Sequence, residues 1–120
     1  RSPSRGLGDV YKRQARAGST RRIDSFRERS LCTGRFLIEL LAAVEPRSVD
    51  PSLVQPVEWD LVKGAEADAC ALNAKYAISV ARKMGAAVFC LWEDVVEVRP
   101  KLVFAFVAAL MARQLELQLD

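Results

Sequence analysis

The chain has three stretches in which apolar residues recur at the spacing of an α-helix. The first lies between Thr33 and Pro46. Its bulky apolar positions, three and four residues apart, are Phe36, Leu37, Leu40, Leu41 and Val44. Thr33 supplies a hydroxyl for the N-cap. The helix is expected to stop near Glu45, because a residue that precedes proline is sterically kept from the helical conformation.

The second stretch, from Ala65 to Met84, predicts a helix with one closely packed apolar face. Its large apolar residues recur every four positions and are Leu72, Tyr76, Val80 and Met84. Ala69, Ala77 and Ala81 lie beside them and make this face closely packable. The helix is expected to end before Gly85, because glycine readily adopts a left-handed turn and the basic pair before it suits the negative end of the helix dipole.

The third stretch, from Lys101 to about Leu119, is apolar around most of its circumference and predicts a central, buried helix. Pro100 fits the first turn of this helix, where a missing amide hydrogen is tolerated. Upstream, we expect the side chains of Val88, Phe89 and Leu91 to enter the core.

The segments between these helices are predicted to be mostly irregular. Residues 46–64 carry three prolines and end at a glycine, which favours a connection with little regular structure. Glu93 and Asp94 favour the first turn of a short helix that runs through Val98, because acidic side chains stabilise that end of a helix. No segment alternates apolar and polar residues over the length of a strand, so the predicted fold class is all-α.

Residues 1–20 differ from the rest of the chain, because they carry arginine, serine and glycine with almost no apolar periodicity. We expect a disordered basic head there, since little in it can be buried to offset the entropy of ordering it. The segment GLGDVYKRQ is similar to translated library-adapter sequence, which makes residues 1–14 suspect as native sequence. The folded domain is therefore expected over residues 21–120, a length that supports one core.

The formal net charge of +3 conceals an uneven distribution. Residues 1–35 carry ten basic and three acidic side chains, whereas residues 36–120 carry eight basic and twelve acidic ones. A basic segment of this kind attracts nucleic acids or acidic filaments, and it is also commonly just solvated.

The sequence lacks most of the chemistry that enzymes and metal sites use. It has no histidine, no phosphate-binding glycine loop and no calcium-binding loop. The cysteines Cys32, Cys70 and Cys90 lie far apart without a metal-binding pair, and Cys70 is expected to be a small buried residue. The Glu93 and Asp94 carboxylates are explained by helix-end stabilisation. We predict a protein that is not an enzyme, with no catalytic residue, cofactor or metal.

The cellular compartment follows from the apolar runs and the cysteines. The first 20 residues have no apolar signal core, and the longest apolar run, Leu102–Ala112, has 11 residues, short of the ~20 that a membrane helix needs. An odd number of scattered cysteines fits a reducing compartment. These features predict a cytoplasmic protein without a membrane partner.

Three segments carry a family resemblance. They are TGRFLIELLAAVEPRSVD at residues 33–50, LNAKYAISVARKMG at residues 72–85 and LWEDVVEVRPK at residues 91–101. In this order they resemble a calponin-homology domain, most closely the last of the four in the actin-bundling fimbrins, also called plastins. The resemblance implies a calponin-homology-like helical bundle and a set of structural motif residues, namely Asn73, Ala77, Ala81, Gly85, Glu93 and Asp94.

These motif residues have simple physical uses. The Asn73 amide can bond to loop carbonyls and amides where the second helix meets its connection. Ala77 and Ala81 allow close helix packing, and Gly85 permits a tight reversal. The Asp94 carboxylate can accept amides at a helix end.

The chain departs from the family pattern at two places. Trp92 stands where the resemblance predicts proline, which is expected to loosen that turn and expose the ring. The family's long first helix, which carries a tryptophan, should precede Ile23, but the basic head does not match it. The resemblance therefore implies a fold that lacks its first helix.

The resemblance implies a function without catalysis. The first hypothesis is an actin-filament binding and bundling module, half of a tandem calponin-homology pair, located in the cytoplasm at the cytoskeleton. The arginines proposed to contact the acidic filament are Arg21, Arg22, Arg27 and Arg29, and the alternative is that they are only solvated. The second hypothesis is a structural domain that docks on its neighbouring calponin-homology domain without touching actin. Neither hypothesis includes nucleic acid as a partner.

Overall fold

Residues 23–119, which the computed structural model describes, form four α-helices joined by 3₁₀ turns and loops. The helices are α1 (Arg35–Val44), α2 (Ala67–Lys83), α3 (Trp92–Val96) and α4 (Pro100–Leu119). The 3₁₀ turns are Arg29–Thr33, Pro46–Ser48 and Pro51–Leu53. Within this range no strand forms, and the only β-type pairing is an isolated bridge between Asp60 and Gly64. The predicted all-α class and its three principal helices are confirmed.

Several predictions concern residues outside the described range. The disordered basic head at residues 1–20, the domain boundary at residue 21 and the absent first helix all fall there or depend on it. They stay predictions.

In the core, α1 packs against both α2 and α4. Its side chains Leu37, Leu40 and Leu41 are fully buried, and they meet Val103, Phe106 and Leu110 of α4 in one apolar cluster. Burying a side chain of this size stabilises the fold by about 1.5–3 kcal/mol relative to its exposure.

The buried face of α2 agrees with only part of the predicted one. Leu72 is 52% exposed, and Tyr76 and Met84 are only half-buried, so of the predicted large residues only Val80 is in the core. The face that packs inward consists mainly of small residues, Cys70, Ala74, Ala77 and Ala81. Small side chains let the neighbouring segments approach the helix backbone, and the larger apolar residues are left at the rim. Of the alanines predicted beside the large residues, Ala77 and Ala81 are fully buried, so this part of the predicted face is correct.

The segment between α2 and α3 is extended and alternates between core and solvent. Val88 and Cys90 are buried, whereas Phe89 is 88% exposed and Leu91 is 58% exposed. The prediction that Phe89 and Leu91 enter the core is wrong. An extended chain points successive side chains to opposite sides, and here both sides of the segment are apolar, so hydrophobicity does not show which side is buried.

The helices α2 and α3 end in the same hydrogen-bonding pattern. In α2, Gly85 has φ of 90° and donates to the Arg82 carbonyl, while the next amide, Ala86 N–H, donates to the Ala81 carbonyl. This pair of bonds is a Schellman motif, and the predicted ending at Gly85 is confirmed.

In α3 the left-handed position of the same motif is occupied by Val98, with φ of 53°. Val98 N–H donates to Val95, and Arg99 N–H donates to Asp94. A β-branched residue in this conformation costs on the order of 1–3 kcal/mol. The buried Val98 side chain offsets part of that cost.

The final helix α4 is only partly buried, so the prediction of a central helix is wrong. Val103, Phe106, Val107 and Leu110 face the core, whereas Phe104 is 51% exposed and Leu115 and Leu119 are exposed. The Phe104 ring meets the edge of Phe26, with centroids 5.4 Å apart. The longest uninterrupted apolar run is 11 residues, but by length and mean hydropathy alone the whole of α4 could span a membrane. A single helix of this kind is weak evidence for a membrane span.

The start of α1 depends on Gly34 and not on Thr33 as its N-cap. Gly34 occupies the N-cap position with φ of 73°. The Thr33 hydroxyl, one residue earlier, accepts the Arg35 N–H at 3.3 Å and donates to the Ser30 carbonyl at 3.2 Å. Thr33 therefore supports the helix start from outside it. The predicted stop is confirmed, since α1 ends at Val44, immediately before Glu45.

Replacing Gly34 by alanine should destabilise the fold more than the same change at Gly64. Both glycines have positive φ, which costs an alanine about 1–2 kcal/mol. A Cβ at Gly34 would also lie 3.0 Å from the Asn73 Cβ, whereas at Gly64 it would meet only the Trp59 ring at 3.6 Å. Urea unfolding should give a loss of about 3 kcal/mol for G34A and about 1 kcal/mol for G64A. Equal losses would contradict the proposed close approach.

Candidate functional site

The arginines predicted to bind a filament lie at the start of the described chain. Arg27 and Arg29 are both exposed, on the turn that leads into the 3₁₀ segment Arg29–Thr33. Neither guanidinium forms an ion pair with a described residue. Arg21 and Arg22 lie outside the described residues. The two described arginines therefore offer unneutralised positive charge to a partner.

The backbone that carries these arginines is held by local hydrogen bonds. The Ser25 hydroxyl accepts the Arg27 N–H at 3.1 Å, and the Glu28 carboxylate accepts the Asp24 N–H at 3.2 Å. Ile23 and Leu31, on either side of the turn, are buried in the core. The turn is thereby anchored at both ends while its basic side chains project outward.

The most connected polar side chain in the described core is Asn73 of α2. It is fully buried, and both the oxygen and the nitrogen of its side-chain amide form hydrogen bonds. The Oδ1 atom accepts the Gln55 N–H at 2.7 Å, and the Nδ2 group donates to the Thr33 carbonyl at 2.9 Å and to the Gln55 carbonyl at 3.0 Å. Asn73 therefore joins α2 to two segments that are distant in sequence. The role predicted for its amide agrees with these bonds.

The other α2 motif residues allow close packing. Ala77 and Ala81 are fully buried. At the end of the helix, a Cβ on Gly85 would lie 3.0 Å from Nε of Arg113, which donates to the Met84 carbonyl at 2.6 Å. Gly85 thus leaves room for α4 to reach the end of α2.

The acidic pair at α3 has a structural role. The Asp94 carboxylate is buried, accepts the Leu91 N–H at 2.8 Å and lies 3.2 Å from the Arg99 guanidinium. Glu93 is half-buried in the first turn, and its backbone carbonyl accepts the Glu97 N–H. A carboxylate that caps its own helix and pairs with an arginine is already fully engaged.

The three cysteines lie in the core as ordinary thiols. All three are buried and unpaired. Burial raises the pKa of the Cys70 thiol to about 12, and its neighbour Cys32 adds to the effect. Burial also raises the pKa of Cys32 and of Cys90. Since the thiolate is the reactive form, these groups are poor nucleophiles at neutral pH.

Sequence reasoning missed one surface, which lies beside α3. Trp92 is half-buried and not exposed as expected, and the Lys75 ammonium lies 4.9 Å from its ring centroid. On one side of α2, Arg82 follows Lys75 by seven residues, which is about two helical turns, and Lys83 is its neighbour in sequence. The signal was present in the sequence as basic residues on the polar side of α2. Within residues 23–119, no cluster of three or more potential metal ligands occurs.

Comparison with known proteins gives a consistent result. The family model for the calponin homology (CH) domain matches residues 10–115. Fimbrin-5 of Arabidopsis thaliana is 42% identical over 114 residues, which cover 95% of this chain and 16% of that protein. Human plastin-3 is 36% identical over 106 residues, which cover 87% of this chain and 16% of that protein.

A solved structure is similar in fold. The crystal structure of the actin-crosslinking core of Schizosaccharomyces pombe fimbrin matches with a TM-score of 0.79 at 38% identity. The match covers 92% of this chain and 22% of that one. The chain thus spans about a sixth of the length of the curated relatives it matches, and a somewhat larger share of the solved core.

Replacing Asn73 by alanine should lower the free energy of unfolding by about 3 kcal/mol, because it leaves buried carbonyls and an amide without partners. Ser79→Ala, at an exposed position of the same helix, is the matched control and should change it by less than about 0.5 kcal/mol. Chemical denaturation of both variants measures the difference. Similar stability of the two variants would show that water replaces the Asn73 bonds.

Stability should fall at alkaline pH because of the buried thiol of Cys70. The folded chain keeps this proton up to a pKa of about 12, whereas the ordinary thiol pKa is 9.0. The unfolded chain therefore loses the proton first, and the unfolding free energy decreases as pH rises from about 9 to 12. Urea midpoints of the wild-type chain and of Cys70→Ala, measured across this range, test it. The variant should show the shallower decline, and parallel declines would contradict the assignment.

Proposed function

This chain belongs to the calponin homology domain family, as its sequence predicts, and on that premise we propose that it is an actin-filament binding and bundling module. The observation that carries the proposal is the similarity to the actin-crosslinking core of a fimbrin over most of this chain. We place the module in one half of a tandem pair, as the last of four domains in a fimbrin-like crosslinker. Its setting is then the cytoplasm, at the cytoskeleton.

The proposed filament contacts are the basic residues ahead of α1. Arg27 and Arg29 are exposed without ion-pair partners in the described chain, and Arg21 and Arg22 extend the basic series in sequence. Actin is acidic, so these charges would speed and orient docking. Such a module acts by binding filaments and holding them in a fixed arrangement, which requires no cofactor and no chemical step.

A second function, docking on the neighbouring domain of the same natural chain, is favoured by α4. Phe104, Leu115 and Leu119 leave apolar surface exposed along one side of this helix. Exposed apolar surface of this kind is common at protein interfaces. Under this second proposal the domain positions the neighbouring domain, and only the neighbouring domain contacts the filament.

Cosedimentation with actin filaments separates the two proposals. The charge-reversed variant Arg27→Glu/Arg29→Glu should bind about tenfold more weakly than the wild-type chain. The matched control is Arg47→Glu/Lys63→Glu, which makes the same charge change at exposed positions between α1 and α2 and should bind almost as well as wild type. Binding should also weaken as salt is raised.

Two outcomes count against direct binding. Equal weakening in both variants would mean that net charge, and not these arginines, attracts the filament. No pelleting of the chain, even when it is joined to the domain that precedes it in its natural protein, would favour the docking function.

A further inference from the structure

A groove between α2 and the start of α3 combines positive charge with apolar surface. It has a volume of about 390 Å³ and lies outside the arginine turn described above. Three basic side chains line it, namely Lys75, Arg82 and Lys83. Its apolar lining comes from Ile78, Leu91 and Trp92.

The charge in this groove is not neutralised by the described chain. No aspartate or glutamate lines it, and Lys75, Arg82 and Lys83 form no ion pair with a described residue. This is notable because residues 36–120 carry twelve acidic and only eight basic side chains. The groove is therefore a local concentration of positive charge within a part of the chain that is otherwise acidic, which focuses the attraction on acidic groups.

The basic side chains are held in place to different degrees. The Lys75 ammonium lies over the Trp92 ring, 4.9 Å from its centroid, and Nε of Arg82 donates to the Val88 carbonyl at 3.3 Å. Lys83 also lines the groove, and its side chain makes no comparable contact with the described residues. Two partly ordered cations reduce the entropy that a ligand must overcome on binding.

The apolar part of the groove is exposed and adjacent to these charges. Leu91 is 58% exposed at its edge, and Phe89, two residues earlier, is 88% exposed. An extended segment places both side chains on the same side, away from the buried Val88 and Cys90. A ligand can therefore bury an apolar side chain next to the lysines.

We infer that this groove binds an acidic peptide segment of a partner protein, one that carries an apolar side chain among its carboxylates. The carboxylates would pair with Lys75, Arg82 and Lys83, and the apolar side chain would lie between Leu91 and Trp92. A peptide fits better than a membrane surface, because a flat array of headgroups would not fill a concave groove with an apolar lining. The inference does not depend on actin binding, since it uses none of the arginines ahead of α1.

The test uses the full chain and a short synthetic peptide of glutamates that flank a Leu-Phe pair. Its binding is followed by the NMR signals of the two tryptophan indole N–H groups. The Trp92 signal should shift with peptide concentration, whereas that of Trp59, which does not line the groove, should stay unchanged. The same peptide with lysine in place of glutamate should not bind.

Variants locate the binding site. Lys75→Glu/Lys83→Glu should weaken peptide affinity about tenfold. The control Lys63→Glu/Lys101→Glu has the same net charge and alters exposed lysines that do not line the groove, so its affinity should stay within about twofold of wild type. Leu91→Ser, at an exposed position, should weaken binding without loss of the folded NMR spectrum.

Three results would overturn the inference. The first is equal weakening in the two double variants, which would assign binding to overall charge. The second is a set of shifts confined to residues before Ile23, which would assign it to the basic head. The third is binding to phosphatidylserine vesicles but not to the peptide, which would identify a membrane surface as the ligand.

Discussion

The amide of Asn73 is the interaction on which the rest of the structure depends. It is buried in α2 and satisfies backbone groups of Thr33 and Gln55, so it holds the segment before α1 and the loop before α2 against one helix. Since Gly34 follows Thr33 and packs on the Asn73 Cβ, the same point sets the start of α1. Unsatisfied, these buried groups would each cost about 1–3 kcal/mol, which gives the arrangement its specificity.

Two basic surfaces of the domain differ in character. The turn with Arg27 and Arg29 precedes the segment that Asn73 holds, and the groove beside Trp92 lies on the exposed side of the same helix. One surface offers isolated arginines, and the other offers lysines beside apolar surface.

The sequence predicts the helices better than it predicts their orientation. Helix limits near Glu45, Gly85 and Pro100 are set by proline and glycine, whose effects are local, and they agree with the structure. Whether a side chain is buried depends instead on contacts between segments that are distant in sequence. Leu72 and Phe89 are apolar yet exposed, because the core accepts the small side of α2 and the opposite side of the extended segment. Asn73 was predicted because it is part of the family motif. The groove was not predicted, because it forms only where Lys75, Arg82 and Lys83 of α2 meet Leu91 and Trp92 in the folded chain.

The most direct measurement of the central claim is native-state hydrogen exchange at the Gln55 amide. Gln55 N–H bonds to the buried Asn73 side chain, whereas Val62 N–H, in a neighbouring turn, bonds to the exposed carboxylate of Asp60. If Asn73 anchors the fold, the Gln55 amide should exchange only with global unfolding, as slowly as the core amides of α2, while Val62 exchanges through local opening. Equally rapid exchange of the two amides would show that the Asn73 bonds open independently and that the fold does not depend on them.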